Sequence, residues 1–137
     1  MFIIVFSVIQ LTSNKEDSIK HDLIENSKVY SRLIIDIKST NFNGKYDKFI
    51  RVNGLPKRIQ TTISKLEHGD EIQYLVISND SVLNYYRIEI VLRDNWHVEY
   101  ADEPNDFPKS DTYLKDNFIE TWGVTKNWMI WHDDDFI

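Results

Sequence analysis

The chain has 137 residues, 42% of them hydrophobic and 28% charged, which is the length and composition of one globular domain able to bury a core without metal or disulfide staples. Cysteine is absent, and that excludes a disulfide scaffold, thiolate catalysis, zinc-finger sites and Cys-ligated iron–sulfur clusters. Twenty-two acids against 16 bases leave a net charge of −6, which argues against a broad nucleic-acid-binding surface.

The first segment, Phe2 to Leu11, is apolar on both pleat faces and rich in β-branched residues, so it reads as a buried strand. It lacks the leading Lys or Arg and the small-residue cleavage site of a secretory signal, and ten residues are too few to cross a bilayer as a helix. The expectation is a soluble, cytoplasmic protein. Ser13 or Asn14 then caps a helix over 15–27, with Glu16 and Asp17 where the helix dipole favours anions and Ile19, Leu23 and Ile24 as its apolar stripe.

Val29, Ser31, Leu33, Ile35 and Ile37 alternate with Tyr30, Arg32, Asp36 and Lys38, a period of two that predicts a strand, broken at Asn41-Phe42-Asn43-Gly44. Tyr46 to Val52 forms a short strand closed by Asn53-Gly54. Pro56 suits the first turn of a second helix carrying Ile59, Ile63 and Leu66, with Gly69 as its C′ residue. Strands follow over Glu71 to Ser78 and Val82 to Leu92, joined by a turn at Asn79-Asp80-Ser81.

The next hairpin can be registered from its pattern. A three-residue loop, Arg93-Asp94-Asn95, sets Leu92, Ile90 and Ile88 against Trp96, Val98 and Tyr100, with Asn95 left-handed. A two-residue loop would set apolar residues against His97 and Glu99. After a polar loop over 101–110, Ser110 is expected to cap a third helix with Leu114, Phe118 and Trp122 in one core stripe, ended by Gly123. Val124 to Trp131 reads as the last strand. The fold class expected is α+β: a single domain over 1–137, mostly antiparallel sheet with about three helices packed on it.

Charge is unevenly placed. Residues 94–137 hold 11 acids and three lysines, a net of −8, together with all four tryptophans. Such a segment attracts cationic partners, and Trp and Tyr can anchor an interface inside a charged rim. The acids Glu99, Asp102, Glu103 and Asp106, with Phe107 and the tail acids Asp133, Asp134 and Asp135, are the candidate partner-binding surface. Trp96, Val98, Tyr100, Leu114, Phe118 and Trp122 are assigned to the core.

Catalytic signatures are missing. The four glycines, at 44, 54, 69 and 123, match no phosphate cradle, and there is no nucleophile elbow and no zincin motif. His97 and Glu99 share one side of a strand and could work as a general-base pair, or bind a metal together with Asp102 or His132. The His132-Asp133-Asp134-Asp135 run offers hard oxygen ligands for Mg²⁺ or Ca²⁺. Both patterns more simply describe solvated polar residues, as do His21 and His68. No catalytic residue, cofactor or metal is therefore assigned.

The eleven residues Arg93 to Glu103, a turn leading into an alternating aromatic strand and an acidic segment, resemble a hairpin of some immunity proteins of bacterial polymorphic toxins. The resemblance implies a small, acidic, non-enzymatic cytoplasmic protein that neutralises one cognate toxin; it carries no residue roles across. Nuclease toxins present basic clefts, onto which a −8 segment would be steered. The expected partner is thus a cognate toxin or another basic protein, not nucleic acid or membrane, with the chain itself a monomer or weak homodimer. The alternative is a small metal-dependent enzyme or metal-binding domain using His97, Glu99, Asp102 and the tail from His132 to Asp135.

Overall fold

In the computed structural model, which describes residues 15–40, 42, 48–80 and 85–134, the chain forms a seven-stranded antiparallel sheet with three helices packed on one face. The helices are α1 (Lys15–Glu25), α2 (Ser27–Ser39) and α3 (Lys57–Ser64). The strands are β1 (Lys48–Arg51), β2 (Ile72–Asp80), β3 (Tyr85–Leu92), β4 (Trp96–Ala101), β5 (Tyr113–Asp116), β6 (Ile119–Thr125) and β7 (Trp128–Asp133). Their order is β1-β2-β3-β4-β7-β6-β5, so β7 inserts between β4 and β6 and, among the described residues, β1 and β5 are the edges. This is the α+β architecture the sequence predicts. The strand expected over 2–11 and the cap at Ser13 or Asn14 lie outside the described residues.

The β3–β4 hairpin has the predicted register, with Ile88 opposite Tyr100 and Ile90 opposite Val98. Its loop is Arg93–Asn95, and both Asp94 and Asn95 take positive φ, near 62° and 61°. Asp and Asn tolerate this conformation better than other residues with a Cβ. Ile88, Ile90 and Val98 are buried beneath the helices together with Leu75, Ile77 and Ile130.

Two expectations fail in the same way, through the wrong period. Residues 29–38 belong to helix α2, not to a strand. Tyr30, Leu33, Ile34 and Ile37 recur at three and four residues and are all buried, while Ile35 is exposed. Residues 110–122 are no helix: they carry β5 and β6, joined by a tight turn at Asn117-Phe118 that closes the pair Asp116 and Ile119. Asn117 takes φ 54°, a turn conformation that a helix interior forbids. Leu114 and Phe118 are consequently on the surface, 60% and 55% exposed, not in the core.

Smaller corrections follow from burial. Ile24 lies outside the apolar stripe of α1 and is half exposed. Asn79 and Asp80 extend β2 rather than turn, and the last strand begins at Trp128 because Val124 still belongs to β6. Gly69 is not the C′ residue of α3, which already ends at Ser64. It opens a 3-10 turn, Gly69–Glu71, where a Cβ would lie 2.1 Å from the Ile63 carbonyl oxygen. His68 sits in the preceding connection and is buried, unlike His21.

Candidate functional site

The sheet face opposite the helices carries the odd-numbered positions of β4. Cross-strand pairing there sets Thr121, Trp131, His97, Val91 and Tyr74 in one row and Met129, Glu99, Glu89 and Val76 in the next. Glu99 is 8% exposed and opposite Glu89. Like charges in that position repel. The conflict is relieved sideways. Arg87 donates to Glu99 at 2.7 Å and 3.1 Å, and His97 Nδ1 meets Glu89 at 2.5 Å. Burial still pushes the Glu99 carboxyl above its usual value, with Arg87 offsetting only part of the rise.

Most of the acids expected to face a partner have work within the fold. Arg87 also binds Asp106 at 2.9 Å and lies 5.1 Å from the centroid of the Phe107 ring, which ties the 102–111 loop to the sheet. Asp102 accepts from the Tyr86 N–H at 2.8 Å, from the Tyr100 hydroxyl at 2.8 Å and from the Lys38 ammonium. Burial raises its carboxyl, but those three donors outweigh it and hold the group below the usual carboxylate range. Glu103 is exposed. Asp135 lies outside the described residues.

The expected metal ligands are not brought together. His97 turns to Glu89 and stacks on Trp131, with ring centroids 3.5 Å apart, while Glu99 and Asp102 are held by cations elsewhere. His132 stacks on Trp96, donates from Nε2 to the Asp94 carbonyl at 3.0 Å, and pairs with Asp134 at 2.6 Å. Among the described residues no three His, Asp or Glu side chains are grouped as a metal site.

One polar line was invisible in the sequence because its members are 50 residues apart. Ser18 Oγ lies 2.9 Å from His68 Nε2, and His68 Nδ1 contacts Glu71, which Lys15 also holds at 2.5 Å. Burial raises the Glu71 carboxyl, yet these hydrogen bonds bring it below its usual value, so it anchors the imidazole as an anion. With the His68 N–H fixed by buried Asp22 at 3.1 Å, the line braces α1 against the connection from α3 to β2.

The surface that needs an explanation is the β5–β6 hairpin. Tyr113, Leu114, Phe118 and Ile119 are 45%, 60%, 55% and 43% exposed, a concentration of large apolar side chains in seven residues. Scattered exposed hydrophobics are ordinary, but clustered ones mark interaction surfaces. Acids surround them. Ile119 pairs across the strands with Asp116 on one side and Asp133 on the other, and the Asp134 N–H donates to the Phe118 carbonyl at 2.8 Å. The Asp134 carboxyl hydrogen-bonds Glu120 and, with burial, pushes the Glu120 carboxyl upward; Lys115, 3.9 Å away, offsets this in part. Behind the hairpin, Tyr113 packs on Trp122, which stacks on Trp96, so the exposed tip stands on a firm aromatic base. Sequence reading missed it because Leu114, Phe118 and Trp122 happen to fall four apart.

Comparison with protein-family models, with curated proteins and with solved structures finds no match to this chain.

Proposed function

We propose that the chain is a non-enzymatic binding protein that neutralises a basic partner, of the kind immunity proteins provide against nuclease-type bacterial toxins, in a bacterial cytoplasm. The observation that carries this reading is the β5–β6 hairpin: by its register Leu114 and Ile119 are exposed on the sheet face that also carries Asp116 and Asp133, with Phe118 exposed at the turn between the strands. Apolar groups at the centre supply the desolvated anchors of an interface, and carboxylates at its rim steer a cationic surface into register. Among the described residues no helix is long and apolar enough to cross a membrane.

The interface is thereby centred further along the chain than Glu99 to Phe107. Glu99, Asp102 and, through Arg87, Asp106 serve the fold, whereas Glu103 and Phe107 lie in the loop leading to β5 and can extend the rim. Asp133 and Asp134 belong to it directly.

The test is co-expression in a bacterial host with the protein encoded by the reading frame adjacent to this chain's own. Expression of that protein alone should arrest growth, and co-expression should restore it. A Leu114→Asp, Phe118→Asp variant of the chain should fail to protect while still accumulating as folded protein. A harmless neighbour, or one against which the chain gives no protection, would count against the reading.

A further inference from the structure

A second surface, at the opposite end of β6 from the hairpin tip, is built for a different ligand. Between α1, the start of α2 and the turn from β6 to β7 lies an open cleft of about 470 Å³. That volume lies within the usual range of small-molecule sites, about 300–1,000 Å³. Tyr100 and Trp128 form its aromatic wall above the buried Tyr30, Ser27, Ser31 and Asn127 are among its polar groups, and among the described residues no charged side chain lines it. Trp128 meets Tyr30 at 5.4 Å between centroids with planes 75° apart, and Tyr100 at 5.1 Å with planes 56° apart. Rings set at steep angles present faces and edges in several directions, as the walls of a cage do.

A carboxyl group stands directly behind two of these rings. The Tyr30 hydroxyl donates to Asp22 at 3.0 Å, and the Tyr100 hydroxyl donates to Asp102 at 2.8 Å. Both phenols remain protonated donors, because burial and the adjacent carboxylate push each hydroxyl upward, Tyr100 to about 12. Donation to a carboxylate enriches the phenol ring in electron density and strengthens its attraction for a cation. Asp22 is fully buried, and its other donors are neutral: Asn26 Nδ2 at 2.6 Å and the N–H groups of Glu67 and His68 at 3.0 Å and 3.1 Å. Its charge is therefore left to act on the cleft. Tyr100 has the Lys38 ammonium 5.5 Å from its centroid, and that ammonium and Asp102 offset each other's charge, so Asp102 adds little net charge behind Tyr100.

We propose that this cleft binds a quaternary ammonium group, held against the rings of Tyr100 and Trp128, with the buried Tyr30 packed beneath them. A methylated ammonium sheds its water more readily than a primary one and needs no hydrogen-bond acceptors, which suits an aromatic wall with few of them.

The test titrates the full chain with choline and, as the neutral isostere, 3,3-dimethylbutan-1-ol, following tryptophan fluorescence and binding heat. Choline is expected to saturate in the millimolar range or below and to bind on the order of tenfold more tightly than the alcohol. Acetyl-trimethyllysine amide distinguishes the source. Tighter binding than choline assigns a methylated side chain, and weaker binding assigns a free small molecule. Trp128→Leu should weaken choline binding on the order of tenfold. Should that variant not fold, Tyr100→Phe keeps the ring, loses the link to Asp102, and should weaken binding several-fold. Equal binding of the neutral alcohol, or no saturable choline binding by the folded wild-type chain, would overturn the proposal.

Discussion

The Lys109 carbonyl oxygen occupies the place where a side chain at residue 123 would begin. A Cβ built on Gly123 would lie 2.2 Å from it and 2.6 Å from the Pro108 carbonyl oxygen. The contact is backbone against backbone and cannot be relieved by a rotamer change. It seats the loop on β6, where Asp111 and Gly123 exchange hydrogen bonds with their neighbours at 2.9 Å: Asp111 N–H to Gly123 O, and Gly123 N–H to Thr112 O. Gly123→Ala should therefore destabilise the protein by about 1–3 kcal/mol, the usual cost of overpacking. Amide exchange in β5 should accelerate more than exchange in β3. A variant as stable as wild type in urea would show that the loop is not seated as described.

Asp102 should be an acid-sensitive joint. Its folded carboxyl sits below the usual value, so its contribution is complete above the unfolded value of about 3.9 and is lost as pH falls through the folded one. Asp102→Asn disturbs three donors and should cost about 1–3 kcal/mol at neutral pH. Urea melts from pH 7 downward should show the wild type losing its advantage over the variant below about pH 4. A constant difference across that range would remove the carboxylate from the explanation.

Glu99 should behave with the opposite sign. Its carboxyl is raised by burial, so the folded state holds that proton more tightly than the unfolded chain does. The stability of wild type relative to Glu99→Gln should accordingly increase as pH falls through the window between the unfolded and folded values. Paired denaturation curves measure this directly, and an advantage that shrinks with acidity would contradict it.

Trp122 and Leu114 should separate structure from surface. Trp122 stacks on Trp96 at 5.6 Å and packs on Tyr113 at 5.3 Å, so Trp122→Ala should cost about 2–4 kcal/mol, less than for a fully buried ring. Leu114→Asp, at a site 60% exposed, should stay within about 0.5 kcal/mol. Thermal unfolding of both variants checks the contrast.

Legibility followed the strength of competing periods. In β3 and β4, apolar residues alternate against charged ones, and a one-residue slip would have set Ile90 against Glu99, so the register could be read. Residues 27–39 contain two overlapping apolar sets. The helical one, Tyr30, Leu33, Ile34 and Ile37, is the buried one, while Ile35 lends a false alternation by being apolar and exposed. In 113–122 the misleading feature was four-residue spacing. Asp116-Asn117, flanked by Tyr113 and Thr121, was the turn signal that could have corrected it. The acidic, aromatic character of the last third was visible throughout. Which acids the fold itself consumes was not, since Arg87, Lys38 and the Tyr86 N–H reach Glu99 and Asp102 only through tertiary packing.

The most direct measurement of the interface combines binding kinetics and folding on one preparation of the Leu114→Asp, Phe118→Asp variant, using the protein from the adjacent reading frame as partner. The account predicts an unchanged thermal midpoint and an affinity reduced about a hundredfold or more, as expected for loss of interface anchors. Wild-type association should slow steeply as salt rises, because the acids at the rim steer the approach. Undiminished affinity in the folded variant, with an association rate indifferent to salt, would contradict the assignment of this hairpin as the binding surface.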